Sequence, residues 1–248
     1  MTKVLAVAGK GGVGKTTLST FIILSLAKKG SVVLAVDADP NTNLDEKLGV
    51  KLEGTIGQLR EEISRNVDNL PAGISKPEYI QLKLREAVSE GPGFDLVALG
   101  RQEGPGCYCY INQLLRTTLD SLSEKYRYVV IDNEAGMEHL SRRTTRQVDS
   151  LFIVTEATAI GIKTAIRIKE LARKMDIKVG KFILVVNRAE SLPENLKGTL
   201  GDAAFDAVEL IPEDPNIKNA AENGDPLGGV PESSPTRKRV EEILAKFL

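Results

Sequence analysis

The amino-acid sequence predicts an α/β fold in which helices flank a doubly wound, mostly parallel β-sheet. Two observations predict it. Short apolar runs of the length expected for buried strands recur at 4–8, 31–36, 94–99, 126–131, 151–154, 182–186 and 208–211. Segments with the apolar spacing of helices alternate with them, at 18–27, 55–63, 82–88, 111–122, 160–175 and 237–248. Strands that alternate with helices indicate right-handed βαβ units, whose strands run parallel in one sheet.

The composition favours one domain over 1–248. The apolar content of 42% suffices for a core, and neither a linker nor an internal repeat divides the chain. The formal net charge of −1 argues against a dedicated nucleic-acid surface. The chain starts with a strand rather than a signal peptide, and no apolar run approaches the roughly 20 residues of a membrane span. Because only two cysteines are present, two positions apart, we expect a cytoplasmic protein without a disulfide framework. We also expect no stable membrane association.

A glycine-rich loop from Gly9 to Thr16 joins the first strand to the first helix. This order is the context of a P-loop, whose glycines let backbone N–H groups approach phosphate oxygens while the helix N-terminus adds further donors. Lys15 can reach the β- and γ-phosphates, and the Thr16 hydroxyl can bind Mg²⁺. The remaining predicted contacts are Gly11, Gly12, Val13, Gly14 and Thr17. The loop therefore predicts that ATP and Mg²⁺ bind here.

Candidate site residues follow the ends of several predicted strands, at the edge where parallel sheets bind ligands. These residues are Asp39, Cys107, Asp132, Asn187 and Pro212. A carboxylate such as Asp39 can orient the water that attacks the γ-phosphate, and Asp132 after an apolar strand is typical of a Walker B carboxylate for Mg²⁺. Local turn chemistry is the other explanation for Asp39 and Asn187. We expect all five residues to share one edge of the sheet.

Lys10 is a second lysine inside the loop, and it either neutralises phosphate charge or has a more specific role. The run from Lys10 to Thr17 resembles the deviant Walker A motif of the SIMIBI ATPases, the group that holds MinD, ParA and the nitrogenase iron protein. The resemblance implies a MinD-like P-loop fold and a homodimer in which Lys10 reaches the partner's nucleotide. It also implies that Asp39 orients the hydrolytic water. Further implied contacts to the base come from Asn187, Arg188, Pro212 and Glu213.

Cys107 and Cys109 lie in a glycine-rich segment just before a predicted helix. Thiols at i and i+2 can point the same way, and a nearby helix N-terminus favours the thiolate that binds metals. Two small buried side chains or a strained local disulfide are the alternatives. One pair of thiolates leaves a divalent ion half coordinated, whereas a two-fold dimer would supply four to Ni²⁺ or Zn²⁺.

Together with the segment 132–140, this Cys-x-Cys pair resembles the CooC/AcsF group of SIMIBI ATPases. The resemblance implies a metallochaperone that hydrolyses ATP and assists nickel insertion into carbon monoxide dehydrogenase or acetyl-CoA synthase as its client enzyme. Three other interpretations stay open. They are a spatial-organisation ATPase of the MinD or ParA kind, an iron–sulfur scaffold or electron donor, and a regulatory module without turnover.

Three further features have no settled role in the sequence. Glu134 stands where many SIMIBI relatives carry small residues, and a contact to the partner subunit is one explanation. His139 is the sole histidine and is either structural or a ligand. The basic amphipathic segment 237–248 either packs on the sheet as a last helix or, as in MinD relatives, meets a membrane.

Overall fold

The strands of the computed structural model confirm the predicted sheet. The structure describes residues 2–66, 73–101, 117, 120–134, 147–175, 177–201 and 203–248. The strands are β1 (Lys3–Gly9), β2 (Val33–Asp37), β3 (Ser89–Gly91), β4 (Phe94–Ala98), β5 (Tyr128–Asp132), β6 (Gln147–Glu156), β7 (Lys178–Asn187) and β8 (Ala207–Ile211). Within the described residues they form one sheet in the order β3-β4-β2-β5-β1-β6-β7-β8. All neighbouring pairs are parallel except β3 with β4.

Helices cover both faces of the sheet. They are α1 (Lys15–Lys28), α2 (Leu44–Leu48), α3 (Ile56–Asn66), α4 (Lys76–Glu86), α5 (Ala159–Lys174), α6 (Glu194–Gly201), α7 (Pro215–Asn223) and α8 (Pro235–Phe247). One apolar core lies beneath α3, α4, α5 and α6, and the other lies beneath α1, α2, α7 and α8. This double cover explains why the central strands are apolar on both sides, since neither face meets water.

Some elements differ from the predicted bounds for identifiable reasons. The helix predicted at 82–88 is α4, which begins earlier because Ser75 and Glu78 form a capping box at its start. β6 and β7 begin well before the predicted 151–154 and 182–186. Their first residues include polar or exposed side chains that interrupt the apolar run on which the prediction is based. The short helix α7 has no apolar stripe to predict it, although Asp214 at its N-cap and Pro215 at its first position are a start signal.

The C-terminal helix α8 packs on the domain. Val240, Ile243 and Leu244 are buried in the same core as α1. Among the residues that the structure describes, no helix is long and apolar enough to cross a membrane. Cys107, Cys109, His139 and most of the helix predicted at 111–122 lie outside the described residues, so the structure does not test those predictions.

Candidate nucleotide-binding site

A cleft of about 800 Å³ opens at the carboxyl edge of the sheet. β1 lies at its centre, with β5 on one side and β6 on the other, which is where an open parallel sheet reverses its strand order and binds ligands. The predicted residues that line this cleft are Gly11, Gly12, Gly14, Lys15, Thr16, Thr17, Asp39, Asn187, Arg188, Pro212 and Glu213. The structure therefore brings most of the predicted nucleotide contacts together.

The P-loop closes over the start of α1 through glycine conformations. Gly14 has a φ of 98°, and a Cβ added to it would lie 2.4 Å from Nδ2 of Asn187. That amide donates a hydrogen bond of 2.8 Å to the carbonyl oxygen of Val13. Asn187 therefore holds the loop with one N–H of its amide, which leaves the second N–H and the carbonyl oxygen available to a base. The Val13 side chain is buried in the core, so this residue meets a nucleotide through its backbone.

The two loop lysines occupy different environments. Lys15 is buried, and its ammonium donates a 3.3 Å hydrogen bond to the carbonyl oxygen of Lys10. The Lys10 side chain is exposed. Lys15 therefore lies inside the loop where phosphates are expected to bind, whereas the side chain of Lys10 faces solvent. This difference agrees with separate roles for the two residues.

Asp132 ends β5 beside the P-loop helix. Oδ1 of its buried carboxylate accepts a 2.9 Å hydrogen bond from the hydroxyl of Ser19, and the Thr16 hydroxyl also donates to it. Burial raises the pKa of Asp132 to about 6, because its effect exceeds the opposing effects of the two hydrogen bonds and of the Lys15 charge. A buried carboxylate that is costly to ionise and lies beside a hydroxyl group fits a divalent cation.

Asp37 is a site residue that sequence reasoning missed. It pairs in register with Asp132 across β2 and β5, and burial raises the pKa of Asp37 to about 7 despite two backbone hydrogen bonds. Its Oδ1 accepts from the N–H of Asp39 and its Oδ2 from the N–H of Leu44, each at 3.0 Å. Asp37 therefore clamps both ends of the loop that carries Asp39. The repeated carboxylate in the segment 37–39 was the available signal.

Asp39 itself lines the cleft with one oxygen engaged. Its Oδ1 accepts a 2.9 Å hydrogen bond from the N–H of Asn41, an Asx turn that limits rotation of the carboxylate. The Asx turn does not engage Oδ2 of this carboxylate. A carboxylate that is held by its own loop and faces the cleft can orient a water molecule.

The opposite end of the cleft is built on β7, β8 and α7. Asp214 caps α7 and accepts hydrogen bonds from the N–H and side-chain amide of Asn216, the N–H of Thr236 and the hydroxyl of Ser234. Burial acts to raise the pKa of Asp214, but these four donors outweigh it and hold the pKa below its usual value. Arg188, at a φ of 55°, forms a 3.3 Å ion pair with Glu156 at this end.

The predicted metal ligands divide into two groups. Thr16 and Asp132 lie together next to the cleft, as a Mg²⁺ site in a P-loop requires. Across the part of the chain that the structure describes, no group of three or more His, Cys, Asp or Glu side chains is arranged to hold a metal ion. A cation here therefore depends on phosphate oxygens and water for its remaining ligands. The Cys107 and Cys109 site stays a prediction.

The fold and the cleft define a P-loop nucleotide-binding protein of the doubly wound α/β class. The model of the CobQ/CobB/MinD/ParA nucleotide binding domain matches residues 4–227. The chain belongs to this family, in agreement with the SIMIBI resemblance of its loop.

Three relatives extend this assignment. An uncharacterized ATP-binding protein of Methanocaldococcus jannaschii is 44% identical over 99% of this chain and 98% of its own. The carbon monoxide dehydrogenase accessory protein CooC of Rhodospirillum rubrum is 34% identical over 98% of this chain and 95% of its own. The septum site-determining protein MinD of Pyrococcus horikoshii, in a structure with Mg-ADP, matches with a TM-score of 0.64 at 21% identity, covering 99% of this chain and 97% of that one.

Proposed function

We propose that this protein is an ATPase that uses Mg²⁺ to hydrolyse ATP to ADP and phosphate. The observation that carries the proposal is the convergence of Lys15, Thr16 and Asp39 on one cleft, with Asp132 directly behind Thr16. Related proteins support the choice of nucleotide, because one is named as ATP-binding and the MinD structure contains Mg-ADP. ATP with Mg²⁺ is therefore the ligand to test first.

The residues of the cleft divide the work of hydrolysis. Lys15 exchanges its bond to the Lys10 carbonyl for the phosphates, and the loop N–H groups hold the phosphate oxygens. Thr16 and Asp132 would hold Mg²⁺, whose charge offsets that of the phosphates when it is bound. Asp39 orients the attacking water, while Asn187, Arg188, Pro212 and Glu213 contact the base.

Lys10 belongs to a homodimer in this proposal. Its side chain is exposed, so its cation is accessible to a nucleotide in a second copy. We expect Lys10→Ala to bind ATP and to stay monomeric in ATP, while Lys15→Ala loses ATP affinity itself. Light scattering and nucleotide titration of both variants test this. Equal loss of ATP affinity in the two variants would confine Lys10 to its own subunit.

We further propose that the ATPase is a metallochaperone for a nickel enzyme, carbon monoxide dehydrogenase or acetyl-CoA synthase. The support is the full-length similarity to CooC, together with Cys107 and Cys109 in the sequence. Ni²⁺ or Zn²⁺ is the cargo, bound by both cysteines of each subunit, so that one ion joins two chains. Linkage then requires that metal binding favour the dimer and that ATP change metal affinity.

Anaerobic titration of the reduced protein with Ni²⁺ and Zn²⁺, while its mass is followed, tests this cargo. We expect one metal ion per dimer, and loss of both binding and metal-promoted dimerisation in the double variant Cys107→Ser with Cys109→Ser. Lys10→Ala is the matched control, because it keeps the thiols. One metal per monomer without dimerisation would contradict a shared site. A brown iron–sulfur chromophore after anaerobic purification would instead favour the scaffold or electron-donor function.

A spatial-organisation ATPase of the MinD kind is the second candidate, and the structural similarity to MinD favours it. It requires a surface for membrane or DNA, and it gives the two cysteines no role. The packing of Val240, Ile243 and Leu244 against the core leaves the apolar face of α8 covered. ATP-dependent sedimentation with anionic vesicles or DNA, unaffected by the cysteine substitutions, would support this candidate over the metallochaperone.

A further inference from the structure

Ser19 makes a different hydrogen bond from three threonines in the helices. Thr20, Thr164 and Thr199 each donate to the backbone carbonyl four residues earlier, which is the usual bond of a helical hydroxyl. Ser19 instead donates across the core to Oδ1 of Asp132, 113 residues away, at 2.9 Å. Both side chains are buried, at 0% and 1% exposure. The bond therefore joins α1 to β5 in the interior.

We infer that Ser19 is a positioning residue that fixes the Asp132 carboxylate for the Mg²⁺ bound with the nucleotide. Its hydroxyl holds Oδ1, which leaves the second carboxylate oxygen to face the cation or a water of its shell. This inference rests on the proposed binding of Mg²⁺ with the nucleotide. It adds a residue of this chain that touches neither the metal nor the phosphates.

Ser19 is needed because the Thr16 hydroxyl has two partners, Asp132 in the structure and Mg²⁺ in the proposed complex. In the structure Thr16 also donates to Asp132, but its oxygen is the hydroxyl expected to bind Mg²⁺. Ser19, one turn further into α1, lies beyond the P-loop and keeps its bond when Thr16 turns to the metal. Groups that orient metal-binding carboxylates commonly change metal affinity about 10- to 100-fold when they are removed.

Helix α1 also provides a matched control. Ser25 is buried at 3% exposure, and among the described residues its hydroxyl has no hydrogen-bond partner. Ser19→Ala and Ser25→Ala thus remove the same atom from the same helix. Only the first removes a bond to Asp132.

The experiment measures the affinity for a fluorescent ADP analogue in Mg²⁺ and in EDTA, and takes the ratio as the gain from Mg²⁺. We expect Ser19→Ala to reduce this gain about 10-fold, with its EDTA affinity within about twofold of the unmodified protein. Ser25→Ala should change neither value. Ser19→Cys, whose thiol is somewhat larger and donates only weakly, should give an intermediate gain, and it decides the question if Ser19→Ala does not fold.

Two outcomes would overturn the inference. They are an unchanged gain in Ser19→Ala and an equal loss of gain in Ser25→Ala. An unchanged gain that comes with equal losses of affinity in EDTA and in Mg²⁺ would mean that Ser19 only stabilises the fold. If the unmodified protein itself gains nothing from Mg²⁺, the proposed Mg²⁺ site fails, and that result is distinct from a failure of Ser19.

Discussion

The two ends of the cleft shift the pKa values of their carboxylates in opposite directions. We name each end after the part of the nucleotide proposed for it: Asp37 and Asp132 lie at the phosphate end, and Asp214 lies at the base end. At the phosphate end, burial raises the pKa of Asp37 to about 7 and that of Asp132 to about 6. At the base end, Asp214 lies nearer the surface, and its pKa lies below the usual value because four donors surround it. Shallower burial and four hydrogen-bond donors together hold the pKa of Asp214 down, whereas deep burial with fewer donors raises the pKa of Asp37 and of Asp132.

This difference separates structural groups from functional ones. The donors at the base end already satisfy Asp214, so that end is complete without a ligand. Asp37 and Asp132 lie side by side with too few donors, and ionising both is costly until a cation arrives. The phosphate end therefore keeps an unmet electrostatic demand, which is typical of a functional site.

We expect the largest effect from a substitution at the phosphate end, Asp39→Asn, which should slow hydrolysis. Asp39→Asn keeps the shape of the side chain but weakens its hold on the attacking water, so we expect ATP turnover to fall about 100-fold or more. Nucleotide affinity should stay within a few-fold, since Lys15 and the loop are untouched. Steady-state phosphate release and ATP titration measure the two quantities. Glu46→Gln, at an exposed carboxylate in α2, is the control, and wild-type turnover in Asp39→Asn would remove Asp39 from the mechanism.

We expect the next largest effect from a substitution at the base end, Asp214→Ala, which should lower stability. Asp214→Ala strands its four donors, and we expect the free energy of unfolding to fall by about 3 kcal/mol. Asp214→Asn retains one acceptor and should lose about half as much. Denaturant unfolding without nucleotide measures both, with the exposed Asp225→Asn as a control at the end of α7. Stability like that of the unmodified protein in Asp214→Ala would show that this carboxylate does not hold the base end together.

We expect the smallest effect in the pH dependence of stability that Asp37 causes. Because the pKa of Asp37 is about 7 in the folded state against an ordinary value of 3.8, the native protein binds its proton more tightly than the unfolded chain does. Its contribution to stability is therefore present below about pH 4 and is lost as the pH rises through 7. Between pH 5 and 8 this loss amounts to about 2 to 3 kcal/mol.

Asp37→Asn tests that loss directly. We expect the free energy of unfolding of the variant, without nucleotide or Mg²⁺, to depend less on pH over this range than that of the unmodified protein. Asp132 remains and contributes in the same direction up to about pH 6. An identical pH dependence in the two proteins would show that Asp37 is ionised at little cost and would abolish the contrast with Asp214.

Local patterns sufficed for much of the site. The strand, the glycine-rich loop and the helix around Gly14 follow one another directly in the sequence. The strands that place Asp39 and Asn187 at one edge of the sheet are likewise continuous apolar runs. Weakly patterned elements were harder to predict. α7 has no continuous apolar stripe, and β3 pairs over three residues at the edge of the sheet. Their positions depend on neighbours that are distant in sequence.

The sequence by itself determined the parallel sheet, the P-loop and the residues that the loop presents, because backbone conformation and apolar periodicity are local properties. Only the tertiary structure decided how individual polar atoms are used. It turned the amide of Asn187 to the P-loop, aimed Ser19 at Asp132 and set Asp37 beside that carboxylate. Such pairings join residues some 100 or more positions apart, and burial then sets their electrostatics. No local pattern encodes which donor a buried carboxylate will meet.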